Sequence, residues 1–266
     1  MNRAYNTPLA VVTGASSGIG FELAKQFADH GFDLLVTSQS ERINGAAVEL
    51  RAMGAKVIAV RADLATYDGV EALYARIKEE GRPVDAIAIN AGVGVGGPFI
   101  ETALEDELNL IELNVTSVVH LAKLVVRDMV QRDDGRVLFT ASIAAEMPGP
   151  FEAVYAASKA FVLSFAEALR NELKDTNVTI TALQPGATDT NFFERAGMAD
   201  TKVGAGRKSN PADVAREGFA ALMKGKDHVV AAMTKEKIQV AVGQIIPEKI
   251  KAEQHRKIAE PGSASS

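Results

Sequence analysis

Seven short runs rich in valine, isoleucine and leucine constrain this chain more than any other feature: LAVVT (9–13), DLLVT (33–37), KVIAV (56–60), VDAIAI (84–89), RVLFT (136–140), VTITAL (178–183) and DHVVAA (227–232). None alternates strictly between apolar and polar positions, as a strand with one wet face does. Continuous apolar strands belong to parallel sheets that are covered on both faces. The segments between them have helical spacing. In IGFELAKQFADHG, residues Phe21, Leu23, Ala24, Phe27 and Ala28 recur on one face and Gly31 supplies the stop. AAVELRAMG and GVEALYARIKEEG end in the same manner on Gly54 and Gly81. Strands alternating with helices predict a doubly wound parallel sheet of about seven strands with helices on both faces. No linker, repeat or composition shift divides the chain, so residues 1–260 are expected to form a single domain.

Two places break the rhythm. TDTNFFERAGMADTKVGAGRKSNP (188–211) is turn-rich and poor in helical pattern, which predicts a mobile lid or substrate loop. The last residues, 261–266, read as a disordered tail. Two long helical stretches, around residues 104–135 and 153–174, are apolar on more than one side. Leu113, Val115, Val118, Val119, Leu121, Ala122, Val125, Phe161, Leu163, Phe165 and Leu169 belong either to a thick core or to a face shared with a second copy.

The first strand runs into VVTGASSGIGFELA, where Gly14, Gly18 and Gly20 permit a sharp turn, close approach of a pyrophosphate to the backbone, and tight helix–strand packing. A helix opening directly behind such a loop aims its free N–H groups at the phosphates. The expected fold is therefore Rossmann-like, with a dinucleotide across its strand ends. Further along, AVYAASKAF puts Tyr155 four residues ahead of Lys159, and ALYARIKEE puts Tyr74 four ahead of Lys78. Positions i and i+4 share a helix face, and a cation there draws a phenol down from its usual pKa near ~10. Spacing alone does not choose between the two pairs. Tyr74 sits among Arg76, Lys78, Glu79 and Glu80, as on a solvated face. Tyr155 opens a helix just after the fifth strand, behind a loop that carries Ser142.

The loop Thr13-Gly14-x-x-x-Gly18-x-Gly20 resembles that of the short-chain dehydrogenase/reductase family, and further motifs then fall in the family's order. Asp63 with Leu64 matches the residues near the adenine, Asn90-Ala91-Gly92 the turn after the fourth strand, Asn114 the mid-helix catalytic Asn and Ser142 the Ser that polarises the substrate. Pro185-Gly186, with Thr188 and Thr190, matches the segment on the nicotinamide side, and the likeness spans residues 8–232. The resemblance implies an NAD(P)-dependent oxidoreductase that interconverts a carbonyl and an alcohol. Tyr155 would be its general acid and base, and Lys159 would lower the tyrosine pKa and hold the nicotinamide ribose. Ser142 would hydrogen-bond the reacting oxygen, and Asn114 would hold a water that continues the proton path from Lys159. Residues Gly14, Ser16, Ser17, Gly18, Ile19, Gly20, Ser38, Arg42, Asp63, Leu64, Asn90, Ala91, Gly92, Tyr155, Lys159, Pro185, Gly186, Thr188 and Thr190 would contact the cofactor.

The second strand ends in VTSQSER, with Ser38 where an NAD site carries an acid. An uncharged site accepts the 2′-phosphate of NADP, with Arg42 in reach of it, so NADP is favoured. NAD is the alternative, with Glu41 serving the ribose if the strand runs a turn longer. Against NADP, Gln39 stands where many NADP-preferring relatives have Arg, and Ser16 and Ser17 put no cation in the loop. Val93, Phe99, Ile143, Met147, Phe151, Phe192 and Phe193 lie near the expected mouth, which predicts a small hydrophobic carbonyl or alcohol substrate. Phe192 and Phe193 would close over it as a lid or pack in the core. Glu146 reads as a solvated loop carboxylate, or as a contact for a polar or cationic substrate group.

The remaining totals exclude several classes. With net charge −5, no basic tract and no aromatics interleaved with Arg or Lys, nucleic-acid binding is not expected. The chain has no cysteine, hence no disulfide, thiolate ligand or thiol nucleophile, and its four histidines (His30, His120, His228 and His255) lack ligand-like spacing, so no metal is expected. The N-terminus lacks a leader-like apolar stretch, and no later segment is read as membrane-spanning, so no membrane contact and a cytoplasmic location are expected. A homodimer or homotetramer is expected from the apolar helices. A non-catalytic dinucleotide sensor would not need Asn114, Ser142, Tyr155 and Lys159 together. The epimerases and dehydratases of the extended relatives need a larger C-terminal region than this chain has. An acyl-carrier reductase would need a basic docking patch, for which Arg195, Lys202, Arg207 and Lys208 are the available residues. The segment after the seventh strand reads as amphipathic, with Ile238, Val240, Val242, Ile245 and Ile246 apolar, and suits surface or subunit packing.

Overall fold

All seven predicted strands form, and they pair in parallel in the order β3-β2-β1-β4-β5-β6-β7. They are β1 (Leu9–Thr13), β2 (Asp33–Ser38), β3 (Val57–Arg61), β4 (Ala86–Ile89), β5 (Gly135–Thr140), β6 (Val178–Pro185) and β7 (His228–Ala231). The computed structural model describes residues 7–243 and 246–265. Residues 1–6, where the sequence shows no leader-like stretch, lie outside the described residues, as do Ile245 and Ser266.

Side chains alternate across each strand, so the sheet feeds two cores, one on each face. On one face Leu9, Val11, Leu35, Ile87, Ile89, Val137 and Phe139 pack against α3 (Tyr67–Glu79), α5 (Ser117–Gln131) and α6 (Ala153–Glu172). On the other, Ala10, Val12, Leu34, Val36, Ala86, Ala88 and Leu138 meet α1 (Gly18–Asp29), α2 (Arg42–Ala52) and α9 (Pro211–Met223). The sequence thus specifies a Rossmann-like, doubly wound sheet, because strands covered on both sides gain from apolar residues at every position. Thr66 caps α3 by accepting from the Gly69 N–H at 3.0 Å, and Asn210 caps α9 by accepting from Ala212 at 2.9 Å, with Pro211 in the first turn.

A short helix α4 (Leu104–Ile111) runs through one wider, π-helical turn (Glu112–Thr116) into α5. The continuous helix Leu104–Gln131, 28 residues long, does reach membrane-spanning length and composition, which the sequence was not read to contain. Leu110, Val118, Leu121, Val125 and Met129 bury one side of it within the protein. Val118, Leu121, Ala122 and Val125 serve the core, while Leu104, Leu108, Ile111, Val119 and, from α6, Phe161 stay exposed.

One expectation gains detail and one is corrected. The segment 188–211 contains two short helices, α7 (Phe192–Arg195) and α8 (Lys202–Ala205), and buries Phe193, Ala196 and Met198 in a small cluster. Residues 261–265 are not a free tail: the Gly262 N–H donates to Asp200 Oδ2 at 2.8 Å, Ala264 N–H to the Asp200 carbonyl at 3.0 Å, and Ser263 Oγ accepts from Lys202 N–H at 2.9 Å. Hydrogen bonds to Asp200 and to the first residue of α8 order a segment whose composition carries no apolar signal. Between β7 and that segment lie α10 (Thr234–Gly243) and α11 (Glu248–Ala259).

Asp33 and Arg82 form an ion pair at 2.8 Å with side chains only 8% and 11% exposed, beside β1 and β2. Removing one member leaves a buried charge alone, which costs more than the pair contributes. Arg82→Met is expected to destabilise the fold by about 3–5 kcal/mol in urea denaturation, with most of the loss recovered in the Asp33→Asn/Arg82→Met double variant.

Candidate active site

Between β1 and β4 the strand order reverses, and the carboxyl ends of the strands leave a crevice there. Thr13, wholly buried, closes its floor: its hydroxyl oxygen accepts from the backbone N–H groups of Asn90 and Ala91, each at 2.9 Å. The Asn90 amide donates back to the Thr13 carbonyl at 3.1 Å and accepts from the Thr140 hydroxyl at 3.1 Å. Three strand ends are thereby tied to one another. Gly14 lies at φ +68°, and a Cβ there would sit 2.9 Å from Ala91 Cα, while one on Gly20 would enter the Gly14 carbonyl oxygen. The loop can turn this tightly only without side chains at those positions. Ser17 at the head of α1 makes no side-chain cap, so the first N–H groups of that helix face the crevice without a capping side chain. That is a cradle for a phosphate, and it fits the pyrophosphate of a dinucleotide.

One continuous cavity of about 500 Å³ runs from this cradle to the far side of the sheet ends. Gly14, Ser16, Ser17, Gly18, Ile19, Gly20, Ser38, Asp63 and Leu64 line one end, and Asn90, Ala91 and Gly92 the middle. Ser142, Tyr155, Lys159, Pro185, Gly186, Thr188 and Thr190 line the other end. The Ser16 and Ser38 hydroxyls are 3.0 Å apart, and the Gln39 amide donates to Asp63 Oδ2 at 2.8 Å. Arg42 does not join this set. It opens α2 beyond the strand end, exposed, and does not line the cavity. Glu41 is drawn off as well, its carboxylate 2.7 Å from Arg61 in an exposed pair.

At the far end, the two Tyr–Lys pairs turn out to be alike in geometry and unlike in setting. Lys159 Nζ lies 5.8 Å from the Tyr155 ring and Lys78 Nζ 5.7 Å from the Tyr74 ring. Tyr74 donates to Asp128 Oδ2 at 2.8 Å and Lys78 to the same oxygen at 3.0 Å, so that pair is a surface brace between α3 and α5. Tyr155 and Lys159 are both buried against the cavity. The lysine was expected to pull the phenol down; burial instead pushes Tyr155 up, the Glu152 carboxylate adds to it, and only the Ser142 hydroxyl acts the other way. Burial also lowers Lys159 from 10.5 to about 8, and its ammonium donates to the Thr140 carbonyl at 3.0 Å rather than to the phenol. Ser142 Oγ accepts from Ala144 N–H at 3.1 Å, so its O–H is the donor it offers toward Tyr155 and the cavity.

Asn114 does not line the cavity. Set in the π-helical turn and 1% exposed, its Oδ1 accepts from Val93 N–H at 3.0 Å and its amide donates to the Val93 carbonyl at 2.9 Å and to Ser158 Oγ at 3.1 Å. It fixes the strand-end segment against α6, and any Cβ on Gly92 would meet both its Oδ1 and Lys159 Nζ.

Of the predicted substrate residues, Val93, Ile143, Met147, Phe192 and Phe193 line the cavity. Phe151 does not: held at φ 66°, its ring lies beneath the Arg256 guanidinium at 4.9 Å. Phe99 is exposed. Glu146 is engaged by the protein, accepting from the Gln184 amide at 2.7 Å. Sequence reasoning missed Glu152, His255 and Ile258, which all line the cavity. His255 Nε2 lies 3.0 Å from Glu152 Oε2 across 103 positions of sequence, and no local pattern signals such a contact.

A family model for short chain dehydrogenases matches residues 8–200. The chain is 35% identical over 205 residues to Oxidoreductase UcpA of Salmonella typhimurium, covering 77% of this chain and 74% of that one. A short-chain dehydrogenase from Sphingobium yanoikuyae, solved in complex with NADPH, superposes with a TM-score of 0.79 at 27% identity, over 90% of this chain and 96% of that one. A short chain dehydrogenase/reductase from Burkholderia phymatum, solved with NAD, gives 0.82 at 26% identity, over 98% and 99%.

The lowered Lys159 sets a pH dependence. The folded chain releases that proton near pH 8, whereas an unfolded chain holds it to 10.5, so between these values the unfolded state binds more protons. Stability relative to Lys159→Met, measured by urea titration, is expected to rise from pH 8 to pH 10.5, and a flat difference would contradict the burial of the ammonium.

Proposed function

The chain belongs to the short-chain dehydrogenase/reductase family, and on that premise we propose that it interconverts a ketone or aldehyde and an alcohol, with NADP(H) as cofactor and NAD(H) as the alternative. The observation that carries this is the single cavity with the phosphate cradle at one end and Ser142, Tyr155 and Lys159 at the other.

When bound, the nicotinamide supplies or takes up the hydride. The protein handles the proton and the charge on oxygen. In the reducing direction Tyr155 delivers its proton to the substrate oxygen; a phenol held neutral by burial has that proton available. Ser142 donates its O–H to the same oxygen as negative charge develops there. Lys159, charged below about pH 8, stabilises the phenolate left behind and would hold the nicotinamide ribose. In the oxidising direction the phenolate takes up the proton of the alcohol. Asn114 is a positioning residue that holds the Val93 segment beside Lys159, with one lone pair on Oδ1 left for a relay water.

Gly14 and Ser16 to Gly20 would hold the pyrophosphate, Asp63 and Leu64 the adenine, and Pro185, Gly186, Thr188 and Thr190 the nicotinamide side. The preference for NADP rests on Ser38 and Ser16, a neutral pair of hydroxyls where an NAD site carries an acid at the end of the second strand, and it does not need Arg42. Val93, Ile143, Met147, Phe192 and Phe193 favour a hydrophobic body on the substrate. Leu104, Leu108, Ile111, Val119 and Phe161 would be covered in a homodimer or homotetramer, and the location would be cytoplasmic.

Tyr155→Phe is expected to lower carbonyl reduction by at least about a thousandfold while leaving NADPH affinity within about twofold; Tyr74→Phe is expected to keep full turnover. Equal loss in the two variants would sink the assignment. Titration followed by nicotinamide fluorescence is expected to show tighter binding of NADPH than of NADH, and Ser38→Asp is expected to reverse that order by roughly tenfold or more.

A further inference from the structure

The substrate end of the cavity is not purely apolar. α11 presents Lys251, His255 and Ala259, at i, i+4 and i+8, as its buried face. Few apolar residues hold this helix down; polar anchors do. Lys251 Nζ donates to the Glu146 carbonyl at 3.1 Å, and His255 pairs with Glu152 at 3.0 Å, both side chains 7% exposed.

Both members of the pair line the cavity, and each has spent only one side-chain polar atom on the other. Among the described residues, Glu152 Oε1 and His255 Nδ1 have no hydrogen-bond partner. Neither atom is fully enclosed, so each opens onto the cavity, where a polar group of a ligand can take the place of water. Their position narrows what that partner is. Glu152 stands one helical turn before Tyr155, both line the cavity, and its charge raises the tyrosine pKa, so carboxylate and phenol border the same end of that space.

We propose that Glu152 and His255 form a polar subsite that binds a hydroxyl group a few bonds from the reacting carbonyl, so that the preferred substrates are hydroxylated ketones or aldehydes with an apolar body. This rests on the carbonyl-reductase reading above and deepens it. The hydroxyl donates to Glu152 Oε1, while His255, bonded through Nε2 to the other carboxylate oxygen, holds the carboxylate in place and keeps it charged. Val93, Met147, Phe192 and Ile258 take the apolar remainder. A bound substrate lacking the hydroxyl shuts water away from the carboxylate oxygen and puts nothing in its place, which is the arrangement that rejects deoxy analogues most strongly.

The test compares three matched pairs: acetoin with butanone, 2-hydroxycyclohexanone with cyclohexanone, and 2-hydroxyacetophenone with acetophenone. Reduction by the full-length protein is expected to favour the hydroxylated member of at least one pair by roughly tenfold to a hundredfold in kcat/KM, mostly through KM. In Glu152→Gln and His255→Phe, each checked for retained NADPH binding, that ratio is expected to fall toward one. Independently of turnover, the ring resonances of His255 in histidine-labelled protein, assigned by their loss in His255→Phe, are expected to shift with the hydroxylated ketone and not with its partner. Ketone reduction with no discrimination in any pair, or with a ratio that survives both variants, overturns the subsite and leaves the reductase reading standing. A His255 shift specific to the hydroxylated ligands, with no reduction by either nicotinamide, supports the subsite and overturns the reductase reading. No His255 shift with any of the six ketones overturns the subsite.

Discussion

A buried threonine hydroxyl holds the crevice open at a fixed width. Thr13 Oγ1 takes two backbone N–H groups from the end of β4, and Asn90 carries the link on to Thr140 at the end of β5. Strand ends in an open sheet otherwise diverge with the twist, and loops that leave them would set their own spacing. Here the spacing is set by four partly buried hydrogen bonds that converge on Thr13 and Asn90. Everything downstream is referenced to that frame. The glycine loop turns against Ala91, Gly92 abuts Asn114 and Lys159, and Lys159 in turn hangs from the Thr140 carbonyl. The Thr-Gly and Asn-Ala-Gly motifs are therefore two halves of one joint, although nearly eighty positions separate them.

The two Tyr–Lys pairs show what a motif contributes and what its surroundings contribute. Their spacing is identical and their separations differ by a tenth of an ångström. Asp128 captures both members of one pair at the surface, whereas the other pair is buried with no such acceptor and meets an open cavity instead. Spacing places two groups on one helix face; only desolvation and access turn them into acid–base machinery. Desolvation also acts in a direction that spacing does not reveal. It keeps the phenol protonated and makes the ammonium easier to discharge, so both groups sit closer to neutrality than their types suggest.

The sheet was legible because a strand buried on both faces must be apolar along its length, and the seven runs state this directly. The nucleotide end was legible for a related reason: glycines forced by close approach and a threonine forced by a buried joint allow few substitutes. Legibility fades where contacts are long-range and polar. Arg42 was placed at the cofactor from its nearness in sequence, yet the first residue of α2 points elsewhere. Phe151 was placed at the substrate because it is apolar and close to Tyr155, yet its left-handed backbone turns the ring toward Arg256. His255 carried no signal at all, since a lone histidine in a Lys- and Glu-rich helix looks like any solvated residue. The order in 261–265 was hidden in the same way, resting on hydrogen bonds to Asp200 and Lys202 that no composition encodes.

The polar anchoring of α11 gives the molecule a division of labour along its chain. The nucleotide cradle and the proton-handling groups come from sheet ends locked by the core, and one wall of the substrate space comes from a helix that the core scarcely touches. Substitutions within that last helix can therefore redraw what the pocket accepts at little expense to folding or cofactor grip. For an experimenter the same arrangement carries a practical warning. Anything fused close behind the C-terminal segment pulls on the strap that seats His255, so an affinity handle is better placed at the opposite end of the chain.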